Sequence, residues 1–273
     1  MRIAFQGESG AYSEMAALQH FGSGIELVPH KTLSDVFEAV ESNKEDCAIV
    51  PIENSMEGSV NETYDLLLNT KLMVISEVYL RVVHCLISYS DGSIEKIQVV
   101  YSHPQALGQC RDFLKSHKFE PVPFYDTAGS VKMLKELRID NAAAIAGERA
   151  AEIYSMKVLA RGIEDSKHNY TRFLVLMDKD SEPTGNDKTL VIFTTKHMPG
   201  ALHKVIEEFA SRNINLTMIM SRPTKEKPWE YNFYVDFEGH RSEQKIRECM
   251  EHLKDKTVFL KVLGSYPKSR DTT

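Results

Sequence analysis

Short apolar runs alternate with helix-periodic stretches from the first residue onward. RIAF is followed by a helix from about Ser13, ELV by a helix over Leu33 to Val40, and then comes CAIVP, a βαβαβ order. Leu33, Val36, Phe37 and Val40 stand at i, i+3, i+4 and i+7, and Val60, Tyr64, Leu67 and Leu68 repeat an apolar face after Gly58. Both helices are expected to pack on a sheet. The alternation resumes after Met73 with a β-rich stretch through Tyr89. KIQVVYS, a helix opening at Pro104, FEPVPFY, a helix from Thr127, AAAIAG and a further helix follow. A second α/β lobe is predicted, and RFLVLMD at 172–178 is the final strand before the connection that follows.

KDSEPTGND interrupts the pattern with charge, Gly and Pro, the composition of a surface connection, so the domain boundary is placed there. Beyond it the order is strand (TLVIFTT), helix (199–210), strand (NLTMIMSRP), strand (YNFYVDFEG), helix (242–253) and strand (TVFLKVLG). That is βαββαβ, the ferredoxin-like plan. Pro199 suits a first helical turn, with Leu202, Val205, Ile206 and Phe209 on one face; Ile246, Cys249, Met250 and Leu253 repeat the spacing.

Composition narrows the function. The 273 residues allow one large or two moderate domains, and 42% hydrophobic with 26% charged residues describes an ordinary folded chain. A net charge of −6 offers no basic stripe for nucleic acid. MRIAFQGES has too few apolar residues for a secretory segment, and no run approaches the roughly 18 needed to span a bilayer, so neither membrane nor nucleic acid is expected as a partner and the cytoplasm is the expected compartment. Cys47, Cys85, Cys110 and Cys249 form no CxxC pair and read as reduced core residues. The ten histidines show no HExxH or clustered ligand spacing, so no metal is expected.

Several strand-end segments carry candidate chemistry. GESGAYSE (Gly7 to Glu14) enters a helix, and backbone N–H groups around Ser9, Gly10 and Ala11 could cradle a carboxylate; a plain turn with an N-cap at Ser13 is the alternative. It lacks the Lys of a P-loop and the third glycine of a dinucleotide fingerprint. PIENSMEG sets Glu53, Asn54 and Ser55 where parallel sheets present ligands, or it caps the helix after Gly58. In SHPQALGQC, Gln105 and Gln109 are spaced i, i+4 with Ser102 near the same end, a row of neutral donors on a cleft-facing or a solvent-facing side. DTAGSV, with Thr127 and Ala128, and IAGERA are further strand-end turns. NYTRF joins a hydroxyl, a guanidinium and a phenyl ring at Thr171, Arg172 and Phe173, and Arg suits bidentate carboxylate binding.

In this order, GESGAYSE, PIENSMEG, SHPQALGQC, DTAGSV and YTRF resemble the prephenate dehydratase family over residues 1–178. Residues 188–266, with PGAL at 199–202 and SRP at 221–223, resemble the ACT regulatory domain. The resemblance implies an α/β fold with a two-lobed catalytic domain like the type 2 periplasmic binding proteins (residues 1–180, as subdomains 1–80 plus 165–180 and 81–164) and an ACT domain at 188–267. It implies a cofactor-free, decarboxylating dehydration of prephenate to phenylpyruvate in phenylalanine biosynthesis. Thr171 is the implied central catalytic residue, surrounded by Glu53, Asn54, Ser102, Gln109, Arg172 and Phe173. Substrate contacts are expected from Ser9, Gly10, Ala11, Ser55, Gln105, Thr127 and Ala128. Either Thr171 or Glu53, the latter with a pKa raised by desolvation, could supply the proton.

Phenylalanine is the implied allosteric ligand, bound near Pro199, Gly200, Ala201, Leu202, Ser221, Arg222 and Pro223 at a subunit interface, with a homodimer or homotetramer expected. Met220 departs from the family's ESRP pattern by replacing its acidic residue. Arogenate as substrate, or a non-catalytic amino-acid sensor on the same scaffold, are the alternatives.

Overall fold

The computed structural model describes residues 1–89 and 93–269. The first lobe runs β1 (Arg2–Gln6), α1 (Tyr12–Phe21), β2 (Glu26–His30), α2 (Leu33–Glu41), β3 (Cys47–Asn54), β4 (Gly58–Ser59), α3 (Asn61–Asn69) and β5 (Met73–Arg81). The second holds β6 (Cys85–Ser88), β7 (Val99–Ser102), α4 (Pro104–Gln109), α5 (Arg111–Ser116), β8 (Glu120–Pro123), α6 (Thr127–Leu137), β9 (Ala142–Ala146), α7 (Glu148–Tyr154) and β10 (Lys157–Arg161). The chain then returns to the first sheet as β11 (Tyr170–Met177), giving the order β2-β1-β3-β11-β5, with β10-β6-β9-β7-β8 in the second sheet.

Local chemistry explains the helix starts. Thr32 and Asp35 form a reciprocal capping box at α2, each side chain accepting the other's backbone N–H, and Asp126 accepts from the Gly129 amide at α6, 2.6 Å away. The helix expected from Pro104 is broken at Cys110. Asp165 accepts from the backbone amides of Arg111 and Asp112, so its carboxylate caps α5 afresh and leaves Gln109 at the end of α4.

Alternation along β11 divides the molecule into layers. Phe173 and Val175 join a core with Ile3, Phe5 and Ile49 that continues into the second lobe through Ala128, Val131 and Ala144. Leu174 and Leu176 face the other way, into a core with Ala48, Val50, Tyr64 and Leu67 that also contains Leu190, Ile192, Tyr234, Leu263 and Tyr266. Those last residues belong to the C-terminal domain.

That domain runs β12 (Asp187–Thr195), α8 (Ala201–Ala210), β13 (Leu216–Pro223), β14 (Tyr231–Glu238), α9 (Gln244–Lys256) and β15 (Thr257–Pro267), ordered β13-β14-β12-β15. This is the ferredoxin-like arrangement. One sheet face carries α8 and α9 over a core of Val191, Phe193, Val205, Phe209, Ile246 and Leu253. The other lies on the first lobe, and at Gly264 a Cβ would stand 2.2 Å from the Val74 carbonyl oxygen. Pro199 lies before α8 rather than in its first turn; Gly200, at φ +76°, is the N-cap. The strand β10 has no counterpart in the sequence reading, its residues lacking a clear alternation.

Candidate active site

Between the lobes lies a cleft of about 340 Å³. It is bounded by the carboxyl ends of β1 (Gln6) and β3 (Pro51, Asn54), by the first turns of α1 (Tyr12, Ser13) and α6 (Thr127), and by α4 (Gln105, Ala106, Gln109). Thr171 and Phe173 of β11 also line it.

A continuous hydrogen-bond chain crosses its floor. The Asn54 amide nitrogen donates to Asn169 Oδ1 at 2.8 Å and to Thr171 Oγ1 at 3.0 Å, while Asn54 Oδ1 accepts from the backbone amides of Met56 and Glu57. Every bonding position of that amide group is engaged on the protein. Asn169 Nδ2 donates to Gln109 Oε1 at 2.8 Å, and His84 Nε2 lies 2.8 Å from the same oxygen. Tyr12 OH completes the row, 2.8 Å from His84 Nδ1 and 2.9 Å from the Val83 carbonyl. With its oxygen doubly bonded, Gln109 turns its NH₂ toward the cleft, where Glu57 Oε1 lies 3.5 Å away.

Burial holds the His84 imidazole below its ordinary pKa, against a raising pull from Gln109 and Glu164, so the ring stays neutral. Burial likewise pushes the Tyr12 phenol well above its ordinary value. Among the described residues, no lysine or arginine lines the cleft.

Several sequence-predicted residues stand elsewhere. Arg172 is buried on the opposite face of β11, because successive strand residues alternate. Its guanidinium bonds to Glu77, Asp236 and Tyr266 rather than facing a ligand. Glu53 pairs in register with Arg172 and is not among the cleft residues; its charge adds to burial in pushing the Tyr64 phenol up to about 12. Ser102 is fully buried and donates to the Ile145 carbonyl at 2.6 Å. Ser55 accepts from the Tyr170 amide and donates to the His168 carbonyl, tying β3 to β11.

Ser9, Gly10 and Ala11 do not line the cleft, and the Gly10 amide is taken by Glu14 Oε2 at 2.8 Å. The expected carboxylate cradle thus already holds a carboxylate, one that Arg149 neutralises at 3.2 Å. Ala128 is fully buried beneath Thr127. Sequence reading missed Tyr12, Glu57, His84 and Asn169. Tyr12, Glu57 and Asn169 lie inside GESGAYSE, PIENSMEG and NYTRF, whereas His84 carries no local pattern.

In the C-terminal domain, Gly200, Ala201 and Leu202 line a pocket of about 320 Å³ with Lys196, Trp229 and Tyr231. Pro199, Ser221, Arg222 and Pro223 are not among its lining residues. Arg222 instead makes a two-pronged contact with Asp65 of α3 at 3.1 and 3.0 Å. The four cysteines are free and buried; burial lifts the Cys47 thiol to about 12 and those of Cys85 and Cys249 to about 11.

The chain matches the family model of prephenate dehydratase over residues 3–181 and that of the ACT domain over residues 189–254. It is 42% identical over 271 residues to a bifunctional chorismate mutase/prephenate dehydratase of Aquifex aeolicus, an alignment covering 98% of this chain and 74% of that one. Among solved structures, GqqA, described as a novel type of quorum quenching acylase, superposes with a TM-score of 0.92 at 30% identity, covering 99% of both chains. Prephenate dehydratase of Arthrobacter aurescens in complex with L-Phe superposes at 0.89 with 30% identity, covering 98% of this chain and 90% of that one.

Proposed function

This chain belongs to the prephenate dehydratase family and carries an ACT domain, and from that premise we propose that the cleft converts prephenate to phenylpyruvate with Thr171 as proton donor. The carrying observation is the Asn54–Thr171 hydrogen bond. Because the amide donates to the threonine oxygen, the hydroxyl hydrogen is free to point at a ligand. As the ring carboxylate leaves as carbon dioxide, the electrons of the broken C–C bond move through the ring and expel the hydroxyl. One proton converts the departing hydroxide to water, and aromatisation drives the change.

Neutral donors suit this chemistry. A guanidinium would stabilise the carboxylate of bound prephenate, and that stabilisation would be lost as carbon dioxide forms in the transition state, whereas Gln105, Gln109 and Thr127 hold an anion less strongly in the ground state. An acyl-transfer reading is less well supported, since the Thr171 hydroxyl is bonded to an amide and not to a base.

Phenylalanine is the proposed effector, with the pocket at Gly200 to Leu202 as part of its site. The separation of that pocket from Ser221, Arg222 and Pro223 supports a site completed by a second copy, hence a homodimer or homotetramer. No described helix is long and apolar enough to cross a membrane, and the free buried cysteines support a reducing, cytoplasmic setting.

Incubation of the purified protein with prephenate at neutral pH, with phenylpyruvate followed by its absorbance in alkali, tests the reading. Parallel reactions with arogenate and with added phenylalanine test substrate and effector. Turnover of arogenate but not prephenate would transfer the assignment to the amino-bearing substrate.

A further inference from the structure

Behind the catalytic strand, at the seam between sheets, lies a buried charge cluster that the dehydration does not use. Arg172 Nε donates to Glu77 Oε2 at 2.8 Å, and its Nη2 contacts Asp236 and donates to Tyr266 OH at 3.0 Å. Lys188 Nζ lies 2.9 Å from both Glu77 Oε2 and Asp236 Oδ2. Tyr266 OH donates to Asp236 Oδ1 at 2.8 Å, and the Tyr79 ring faces the guanidinium at 6.0 Å. Two cations balance two carboxylates, all at least nine-tenths buried. Arg172 and Glu77 belong to the catalytic lobe; Lys188, Asp236 and Tyr266 belong to the ACT sheet.

The cluster sits one peptide plane from Thr171. At this point the β3–β11 ladder slips, Arg172 pairing with Glu53 and Phe173 with Pro51, so Ile52 is an extra residue. A bulge loosens the ladder on the β3 side and re-aims neighbouring side chains, while β5 holds the other edge of β11 in register from Tyr170 to Val175, so the grip on Arg172 acts where β11 is held firmly along one edge only. A planar guanidinium held by two carboxylates, a phenol and an aromatic face is a rigid grip. On the ACT side, β14 carries Asp236 in the cluster and Tyr231 and Phe233 in the pocket beside Gly200.

We propose that Arg172 is a positioning residue: the ACT domain, through Asp236 and Lys188, sets the direction of the Thr171 hydroxyl in the cleft, and Arg172 itself touches no substrate. The inference rests on the dehydratase reading for its kinetic consequences but not for its structural one. Arg172 thereby becomes the route by which an occupant of the ACT pocket alters turnover.

The test uses the full chain in four variants: Asp236→Asn, Arg172→Lys, Arg172→Met and the double Arg172→Met/Asp236→Asn. The double variant removes one charge of each sign, leaving Lys188 against Glu77, so the cluster is again neutral. Expected are a fall in kcat of tenfold or more for Arg172→Met and Asp236→Asn with KM changed less than threefold, and partial rescue in Arg172→Lys. In the double variant the melting temperature recovers but kcat and phenylalanine inhibition do not. Recovery of kcat together with the melting temperature, or a KM rise at constant kcat in Arg172→Met, would overturn the proposal, the first making the cluster purely structural and the second making Arg172 a substrate ligand. Independently of activity, the ¹³C-methyl resonance of Thr171 should shift or split in Asp236→Asn; an unchanged resonance would also overturn it. A wild-type enzyme inert toward prephenate would count against the dehydratase assignment, while this resonance would still decide the coupling.

Discussion

The Asn54 side-chain nitrogen lies 3.0 Å from the Thr171 hydroxyl oxygen, opposite it in the β3–β11 register. Donation along this contact makes Thr171 a donor toward the cleft. Thr171→Ala should therefore lower kcat by about 10²–10³-fold with little change in KM, the size seen when a preorganised donor is removed. Asn54→Ala should approach the same loss, because it frees the hydroxyl to turn away. Steady-state kinetics with prephenate check both; a Thr171→Ala enzyme keeping most of its kcat would remove Thr171 from the mechanism.

The two glutamates of PIENSMEG separate by position. Glu57 reaches Gln109 at the cleft, whereas Glu53 faces the Tyr64 side of the sheet. Glu57→Gln should change kcat/KM for prephenate by about tenfold, and Glu53→Gln should act mainly on thermal stability. Equal kinetic losses in the two variants would contradict the placement.

Gly10 adopts φ +93°, and a Cβ there would lie 2.7 Å from the Ala150 Cα. Gly10→Ala should cost about 1–3 kcal/mol through backbone strain, with added loss from the clash. Denaturant unfolding measures it. A variant as stable as the parent would mean that the contact between the turn before α1 and α7 is soft.

His84 is buried neutral with its pKa lowered from 6.5. In the unfolded chain the ring binds a proton at higher pH than in the native state, so the unfolded state gains protons first as pH falls. The contribution of His84 is fully present above about pH 6.5 and is lost as pH falls toward the folded value. His84→Gln should flatten the acid side of the melting-temperature profile. A profile with the same slope in both proteins would assign that slope to other groups.

Much of this arrangement is written locally. The i, i+4 spacing of Gln105 and Gln109 suffices to put them on one helix face, and both line the cleft. The alternation that sends Arg172 away from Thr171 and Phe173 is equally local, but its partner Asp236 is 64 residues distant, and no periodicity carries that pairing. Gly10 shows the reverse problem. Its amide could serve a ligand on sequence grounds, yet Glu14, one helical turn on, satisfies it first. His84 and Asn169 become visible only when β6, α4 and β11 are brought together, since their role lies in tertiary hydrogen bonds.

Gly264 also bears on how the molecule comes apart. Where β15 runs against Val74 with no room for a side chain, hydrocarbon from the lobe and from the regulatory sheet forms one mass, Leu174 and Tyr64 beside Leu263 and Tyr234. Melting either part would strand the other's apolar face in water. Scanning calorimetry should accordingly show both units absorbing heat in a single peak, and two well-resolved transitions would mean that the seam contributes little. The connection that reads in sequence as a tether between separable modules is then a loop on the surface of one cooperative body.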